Sequence, residues 1–422
     1  MPIDTVVLDD RAIERLGAYL NERGWLRPLL VMDANTAEVA GERVHAELKK
    51  AELRASVHCF PERSGLLANE ASVSRLQDAL AESDADSLVS VGSGVITDIT
   101  RYVAHGAGRD FVSVPTAASM DGYASSVAAM EFSGMKVSFP TIAPVAIFAE
   151  PEIVAAAPLD MTRAGIGDLL GKTTARVDWW TAHLLYGEAH CATVEQRVAQ
   201  TVLQTAEHVD AILAGTVEAV KILLAALIES GKAMAMVDSS RPASGCEHHA
   251  SHFWDLLAAR GLRPHSPHGL QVGYATHFAM RLQRFALGGA LATLVPPHPS
   301  TELNTEGRSW YSGHLGEVRA VMEAKRRFVG DHAQAWPRGA LAWQAAQERA
   351  ATAMEVFPLV ESALLAARIP DEPGYLEIDA ALLGATFRFA NQMRSRYTVL
   401  DLLEGQGRLE EAIDAVLLGT GE

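Results

Sequence analysis

"SLVSVGSGVITDITRY" (residues 87–102) joins an apolar, β-branched run to a stretch with helical spacing through two glycines, Gly92 and Gly94. Glycine permits a tight turn and the close approach of a ligand, and a helix amino terminus offers free N–H groups to an anion. The pattern predicts a strand, a glycine turn and a helix. Because the spacing is neither GxGxxG nor a Walker loop, the turn has two interpretations, a diphosphate site or a tight turn alone.

Strand-like and helix-like segments alternate on both sides of this stretch. The strand-like segments are 27–35, 55–61, 86–94, 110–119 and 145–151, and the helix-like segments between them are 38–51, 70–83 and 95–107. Residues 125–140 resemble a hairpin that turns at Ser133 and Gly134. Alternation of this kind predicts a parallel sheet with helices on both faces.

Beyond about residue 156 the pattern is helical almost throughout, apart from a predicted long loop at 293–315. We therefore predict a Rossmann-like α/β dinucleotide-binding domain at 1–155 and an all-α domain at 156–422. The length of 422 residues favours two domains as well, because single hydrophobic cores rarely grow so large.

Composition excludes several classes of protein. The net charge of −16 argues against nucleic-acid binding, which needs a basic surface. Three scattered cysteines predict no disulfide framework, and the charged amino terminus lacks the apolar core of a signal peptide. The most apolar stretch, 211–237, contains Glu218, Lys221 and Glu229, so we predict a buried helix or helix pair and no membrane insertion. A cytoplasmic protein is expected.

Two aspartates in the first domain are candidate cofactor ligands. Asp33 ends the first predicted strand and either hydrogen-bonds an adenosine ribose or caps a helix. Asp98 falls in the first turn of the helix after the glycines, where a carboxylate also stabilises the helix dipole. Sequence alone leaves both alternatives open.

Histidines and one aspartate form a candidate metal site in the second domain. In "SGCEHHASHFW" (244–254), His248 and His252 are one helical turn apart, and His268 follows soon after. Asp168 lies among glycines in "TRAGIGDLLGKTTA" (162–175). Asp168, His268 and either His248 or His252 supply one oxygen and two imidazoles, a set that suits Zn²⁺, Ni²⁺ or Fe²⁺. Ordinary helix histidines are the alternative, and that is what we expect of His249.

Five segments occur in the order found in sn-glycerol-1-phosphate dehydrogenases. They are "GSGVITD" (92–98), "SVPTAASMDGYAS" (113–125), "GIGDLLGKTTA" (165–175), "SGCEHHASHFW" (244–254) and "HGLQVG" (268–273). The chain resembles the bacterial AraM-type branch of this family most closely, over about residues 27–280. The resemblance implies a dehydroquinate synthase-like fold, shared with iron-containing alcohol dehydrogenases.

The resemblance also assigns roles to particular residues. Those that would bind NAD(H) or NADP(H) are Gly94, Val95, Ile96, Thr97, Asp98, Thr116, Ala117, Ala118, Ser119 and Ser125. Asp33 is a cofactor candidate from its place at the end of the first strand and not from the resemblance. Those that would bind one divalent metal ion, zinc or nickel ahead of iron, are Asp168, His248 and His268. Asp121 and His252 would be catalytic and would contact the substrate together with Asp168.

The implied reaction is the interconversion of dihydroxyacetone phosphate and sn-glycerol 1-phosphate by a homodimer. A glycerol or polyol dehydrogenase acting on an unphosphorylated substrate is the alternative. Lys172 and Arg163 are candidates for binding the substrate phosphate, although Arg163 has an ion pair as its other interpretation.

Overall fold

The computed structural model describes residues 3–296, 302–369 and 376–417. Contacts group the chain into two compact units, one of Met1–Leu169 with Glu207–Ser240 and one of Leu170–Ala206 with Arg241–Glu422. This grouping assigns residues 207–240 to the unit that contains the sheet. The predicted boundary between residues 155 and 156 stays a prediction.

The first unit contains a six-stranded sheet in the order β1-β8-β5-β4-β2-β3, in which every neighbouring pair is parallel. The strands are β1 (Thr5–Leu8), β2 (Pro28–Asp33), β3 (Ser56–Phe60), β4 (Ser87–Gly92), β5 (Phe111–Pro115), β6 (Val127–Phe132), β7 (Met135–Pro140) and β8 (Ala146–Ala149). The predicted parallel sheet is confirmed. Strand β1, a four-residue strand at the edge of the sheet, was not predicted from the sequence.

Helices cover both faces of this sheet. Those before the last strand and just after it are α1 (Ala12–Glu22), α2 (Ala34–Thr36), α3 (Glu42–Lys50), α4 (Glu70–Glu82), α5 (Gly94–Gly106) and α6 (Pro151–Ala155). Leu30 and Met32 of β2 pack with residues of α1 and α3, whereas Leu29 and Val31 pack with residues of α4 and α5. Since successive strand residues point to opposite faces, a strand buried on both faces must be apolar throughout.

The predicted hairpin is formed by β6 and β7, which pair antiparallel. Ser133 and Gly134 both have positive φ angles, 51° and 72°. Two such residues make the turn whose twist matches the flanking strands.

After α6 the described residues form helices joined by loops and turns, and they contain no strand. Its helices up to residue 285 are α7 (Leu159–Tyr186), α8 (Ala192–Glu207), α9 (Val209–Leu213), α10 (Val217–Val237), α11 (Cys246–Ala259) and α12 (His268–Phe285). Those that follow are α13 (Thr305–Trp310), α14 (Leu315–Asp331), α15 (Trp336–Leu341), α16 (Trp343–Met354), α17 (Phe357–Ala366), Ala380–Phe389, Val399–Gly405 and Leu409–Leu417.

Two further predictions meet different outcomes. The apolar stretch 211–237 is a helix pair, α9 and α10, as predicted, and among the described residues no helix has the length and apolarity needed to span a membrane. The loop predicted for 293–315 is wrong at α13, which begins after Asn304, whose side chain accepts a hydrogen bond from the Gly307 N–H. Residues 297–301 of that loop lie outside the described residues.

Candidate active site

Three predicted cofactor segments follow three neighbouring strands of the sheet. Asp33 ends β2, Gly94 begins α5 just after β4, and Thr116 follows β5 directly. In the sheet order, β5, β4 and β2 are adjacent. The carboxyl ends of parallel strands lie at the same edge, which is where open α/β sheets bind ligands. The fold thus brings these segments together.

The turn between β4 and α5 needs glycine because neighbouring atoms leave no room for a side chain, and not because of positive φ angles. Neither Gly92 nor Gly94 has a positive φ, but a Cβ on Gly92 would lie 2.8 Å from the Cβ of Ile96. The Ser93 side chain makes no capping hydrogen bond to the described residues of α5. The first N–H groups of the helix therefore remain available to an anion.

Asp98 is buried and forms an ion pair with the fully buried Arg101, at 2.7 Å. Burial raises the pKa of Asp98 to about 6, against the opposing effect of Arg101. Arg101 also donates to the carbonyls of Val127, at 2.9 Å, and Gly122. The pair ties α5 to the segment before β6, so Asp98 has a structural function in addition to any contact that its backbone makes with a cofactor.

Asp33 caps the helix that follows β2. Its carboxylate accepts hydrogen bonds from the N–H groups of Asn35, at 2.9 Å, and Thr36, at 2.8 Å, and the Thr36 hydroxyl accepts one from the Asp33 N–H. This capping box confirms the helix-cap interpretation. The ribose contact of Asp33 stays a prediction.

The segment after β5 is held by its own side chains. The buried Tyr123 hydroxyl donates to the Ala117 carbonyl at 2.6 Å and lies 3.1 Å from the Ser119 hydroxyl. Burial raises the pKa of Tyr123 to about 12. Ser125 is also buried, and its hydroxyl accepts the Val127 N–H at 2.9 Å. These contacts fix the predicted nicotinamide segment in one conformation.

Asp121 links this segment to α7. Its N–H donates to the Asp168 carboxylate at 3.0 Å, and its own carboxylate accepts the Ser230 hydroxyl of α10 at 2.9 Å. Gly165, one turn before Asp168, packs so closely that an added Cβ would lie 1.9 Å from the Ala118 carbonyl oxygen. Both candidate carboxylates are thus held by hydrogen bonds.

Asp168, His248 and His268 come together. One potential ligand atom from each lies within 4.8 Å of those of the other two, and Asp168 and His248 are buried. The three side chains come from α7, α11 and the first residue of α12. Tetrahedral zinc sites place nitrogen and oxygen ligands at about 2.0–2.2 Å from the ion, so this spacing fits a single ion. Of the two alternatives, His248 and His252, it is His248 that lies in this group with Asp168 and His268.

Neighbouring side chains orient both histidines. His248 Nδ1 lies 2.8 Å from the Glu247 carboxylate, and His268 Nδ1 lies 3.0 Å from the Ser251 hydroxyl. These contacts engage Nδ1 of each ring, so a metal ion would bind through Nε2. Carboxylate and hydroxyl partners of this kind fix the tautomer and raise the basicity of metal-binding imidazoles.

Glu247 is fully buried, yet its pKa is lowered. Burial alone would raise it, but hydrogen bonds with His248, Thr174 and Gly245 outweigh that effect. The Thr174 hydroxyl donates at 2.7 Å and the Gly245 N–H at 2.6 Å. Glu247 is therefore an anion held in place beside His248.

A second buried group, Asp178, Cys246 and Glu247, also meets the distance condition for a metal site. Asp178, however, accepts hydrogen bonds from the N–H groups of Cys246, at 2.8 Å, and Val399, at 3.0 Å, and from the Gln283 amide, at 3.0 Å. Burial, followed by repulsion from Glu247, raises its pKa to about 7. We interpret Asp178 as an anchor for the start of α11.

His252 lies one turn after His248 on α11 and has a different neighbour. A guanidinium nitrogen of Arg394 lies 2.8 Å from His252 Nε2. Because a guanidinium only donates, Nε2 accepts, and the neutral ring carries its proton on Nδ1. The sequence contains no local signal for this contact, since 142 residues separate the partners. The contact of Glu247 with His248 was also not predicted, although the two residues are adjacent.

Comparison with known proteins agrees with the resemblance. Residues 7–158 match the family model described as iron-containing alcohol dehydrogenase. An NAD(P)⁺-dependent glycerol-1-phosphate dehydrogenase of Halalkalibacterium halodurans is 39% identical over 277 residues, which are 65% of this chain and 69% of the relative. The chain belongs to the glycerol-1-phosphate dehydrogenase family. A member from Bacillus velezensis is 37% identical over 70% of this chain and 75% of its own. One from Pyrococcus furiosus is 37% identical over 59% of this chain and 69% of the relative.

Solved structures support the fold of this glycerol-1-phosphate dehydrogenase family member. A probable glycerol dehydrogenase from Sinorhizobium meliloti superposes with a TM-score of 0.62 at 17% identity, covering 98% of both chains. A 1,3-propanediol oxidoreductase superposes with a TM-score of 0.65 at 14% identity, covering 100% of this chain and 98% of its own. The predicted dehydroquinate synthase-like architecture, which iron-containing alcohol dehydrogenases share, is confirmed.

Proposed function

We propose that this protein interconverts dihydroxyacetone phosphate and sn-glycerol 1-phosphate with NAD(P)(H) and one divalent metal ion. The observation that carries the proposal is the approach of Asp168, His248 and His268 to within 4.8 Å of one another. Family membership supplies the substrate, because the relatives are named for glycerol 1-phosphate.

The donor set fits a catalytic metal ion. Asp168, His248 and His268 would hold it through one oxygen and two nitrogens, which leaves coordination positions open. When bound, such an ion supplies Lewis acidity, which stabilises negative charge on the substrate oxygen. Zinc and nickel both suit these ligands, and we favour them over iron.

Asp121 and His252 orient the substrate and assist proton transfer to the oxygen that becomes its new hydroxyl. Ser230 donates to the Asp121 carboxylate, which holds that carboxylate as an acceptor for a substrate hydroxyl. Neutral His252, with Arg394 at Nε2, keeps its proton on Nδ1 as a donor. Reduction of the ketone consumes one hydride and one proton, and these residues assist the proton's path from solvent to the new hydroxyl.

The first α5 residues and the segment after β5 would hold the cofactor. The amino terminus of α5 would receive the diphosphate through its N–H groups, and residues 116–119 and Ser125 would line the nicotinamide side. When bound, the nicotinamide supplies the hydride. Asp33 favours NAD over NADP, because a carboxylate repels a 2′-phosphate. A cytoplasmic homodimer completes the proposal.

The test compares two ketones. Purified protein is assayed for NADH and NADPH oxidation with dihydroxyacetone phosphate and, in parallel, with dihydroxyacetone. We expect turnover that depends on the phosphate, and a product that is the sn-1 enantiomer of glycerol phosphate. Equal or better turnover of dihydroxyacetone would contradict the proposal and indicate a glycerol or polyol dehydrogenase.

A further inference from the structure

Lys325 of α14 is a buried lysine that the proposed mechanism does not use. Its ammonium group donates to the main-chain carbonyl of Asn391 and forms an ion pair with the Asp401 carboxylate, which is itself only 9% exposed. A buried ammonium group needs such partners to offset its lost hydration, and they fix its position. Lys325 therefore joins α14 to two points of the chain, one on each side of Arg394.

Residues 393–398, here called the connecting segment, form neither helix nor strand and lead into the helix Val399–Gly405. One oxygen of Asp401 accepts from Lys325, and the other accepts from the Thr398 N–H at 2.8 Å and the Thr398 hydroxyl at 3.0 Å. A stretch without helix or strand lacks a regular set of main-chain hydrogen bonds, so other groups must fix its course. Lys325 does so at both ends of the connecting segment.

Arg394 in the connecting segment contacts the candidate active site. One of its guanidinium nitrogens lies 2.8 Å from His252 Nε2. In the proposed function neutral His252 assists proton transfer, and the guanidinium at Nε2 determines that the ring proton is on Nδ1. The position of the connecting segment therefore affects the group that assists the proton.

The connecting segment and the residue after it have further supports. Arg241 donates to the Tyr397 carbonyl at 3.0 Å, and the Val399 N–H donates to the Asp178 carboxylate at 3.0 Å. Neither contact involves Lys325. Loss of the Lys325 ammonium group should therefore loosen the connecting segment without unfolding the protein.

We propose that Lys325 is a positioning residue of the active site, which keeps Arg394 at His252 by holding the connecting segment. This inference rests on the proposed function and adds α14 to the elements that serve it. Without the ammonium group, the Asn391 carbonyl and the Asp401 carboxylate lose a charged donor, and the segment gains freedom to move. A misplacement of about 1 Å in a group that orients reactants can slow a reaction about 100-fold.

The kinetic test compares Lys325→Met with wild type in zinc-loaded, full-length protein. Methionine removes the charge and keeps most of the side-chain volume. We expect kcat for dihydroxyacetone phosphate to fall about 10- to 100-fold, whereas KM for NADH stays at its wild-type value. Because proton transfer becomes slower, the solvent deuterium isotope effect on kcat should increase. A merely structural role would lower the amount of folded enzyme and leave the isotope effect unchanged.

A double-mutant cycle tests the route through Arg394. Arg394→Gln alone should also lower kcat and increase the isotope effect. Adding Lys325→Met to Arg394→Gln should then lower kcat little further, because changes that act through one contact are not additive. A double variant in which the two losses multiply in full would overturn the proposal.

Amide hydrogen exchange of residues 391–398 tests the structural step without relying on turnover. This stretch should exchange faster in Lys325→Met than in wild type, since a segment held by fewer contacts opens more often. Arg263→Met is the matched control. It removes another buried cation, one that donates to the Leu376 carbonyl, and should leave both kcat and exchange at 391–398 unchanged. Lys325→Arg keeps the charge and should restore most of kcat.

Wild-type exchange at residues 391–398 in Lys325→Met would overturn the proposal, and so would a wild-type isotope effect. If thermal melting shows that Lys325→Met does not fold, Asp401→Asn removes the same ion pair and is held to the same expectations. If wild type reduces neither ketone, the proposed function fails. The exchange measurement then still decides whether Lys325 holds the segment that carries Arg394.

Discussion

Glu247 is the residue that most directly orients a proposed metal ligand, because its carboxylate contacts His248. It is fully buried beside His248, and three groups keep its carboxylate ionised, His248, Thr174 and the Gly245 N–H. A buried anion that contacts a ligand histidine fixes the tautomer of that ring. Glu247 is a positioning residue because it acts on the metal through His248.

Glu247→Gln should therefore weaken metal binding without removing a ligand. The amide cannot stabilise the polarised ring as a carboxylate does, and loss of such partners weakens metal affinity about 10- to 100-fold. Competition with a coloured zinc chelator measures the affinity. Glu229→Gln, at a partly buried ion pair with Lys232, should bind zinc like wild type. Unchanged affinity in Glu247→Gln would mean that Glu247 only stabilises the fold.

Some residues of the candidate site were predictable from the sequence, and others were not. His248 and His252 are one helical turn apart and His268 follows soon after in the chain, so the sequence already grouped them. The choice between His248 and His252 came from family resemblance, and the structure groups His248 with Asp168. The contact between Arg394 and His252 spans 142 residues, and no local pattern signals such a contact.

Helix α7 is the element that positions the proposed chemistry, because it carries both Asp168 and Gly165. Gly165 is required by the close approach of the Ala118 carbonyl, 1.9 Å from where a Cβ would lie. The obstacle is backbone, which cannot rotate out of the way. The segment after β5 therefore keeps its position only while residue 165 has no side chain.

Gly165→Ala should push the segment 116–119 away from α7. We expect a loss of about 1–3 kcal/mol in the free energy of unfolding, the usual cost of overpacking, together with weaker NADH binding. Urea unfolding and NADH fluorescence titration measure the two effects. Gly106→Ala, where an added Cβ meets nothing within 4 Å, is the control and should match or exceed wild-type stability. Wild-type behaviour of Gly165→Ala would contradict the packing described here.

Strands and helices were predictable from the sequence where their apolar pattern was long and uninterrupted. β2, β4 and β5 are buried on both faces and read as continuous apolar runs. β1 has only four residues, all half-buried, too few for a period to emerge. Helix α13 was missed because its six residues follow a Pro- and Ser-rich stretch and depend on the Asn304 cap.

For the whole molecule, the sequence predicted the α/β-then-α architecture and the family, and both predictions are confirmed. Alternation of strands and helices was enough for the sheet, because parallel strands require crossover helices. Composition could not assign residues 207–240 to the first unit, since that grouping depends on contacts between segments far apart in the chain.

We propose above all that Asp168, His248 and His268 hold a metal ion on which turnover depends. The most direct measurement is dihydroxyacetone phosphate reduction by native, chelator-stripped and zinc- or nickel-reloaded protein, with metal content determined for each sample. We expect activity to disappear on stripping and to return with about one ion per chain, and we expect His248→Ala neither to retain the ion nor to recover activity. Full activity in stripped protein that contains no metal would contradict it.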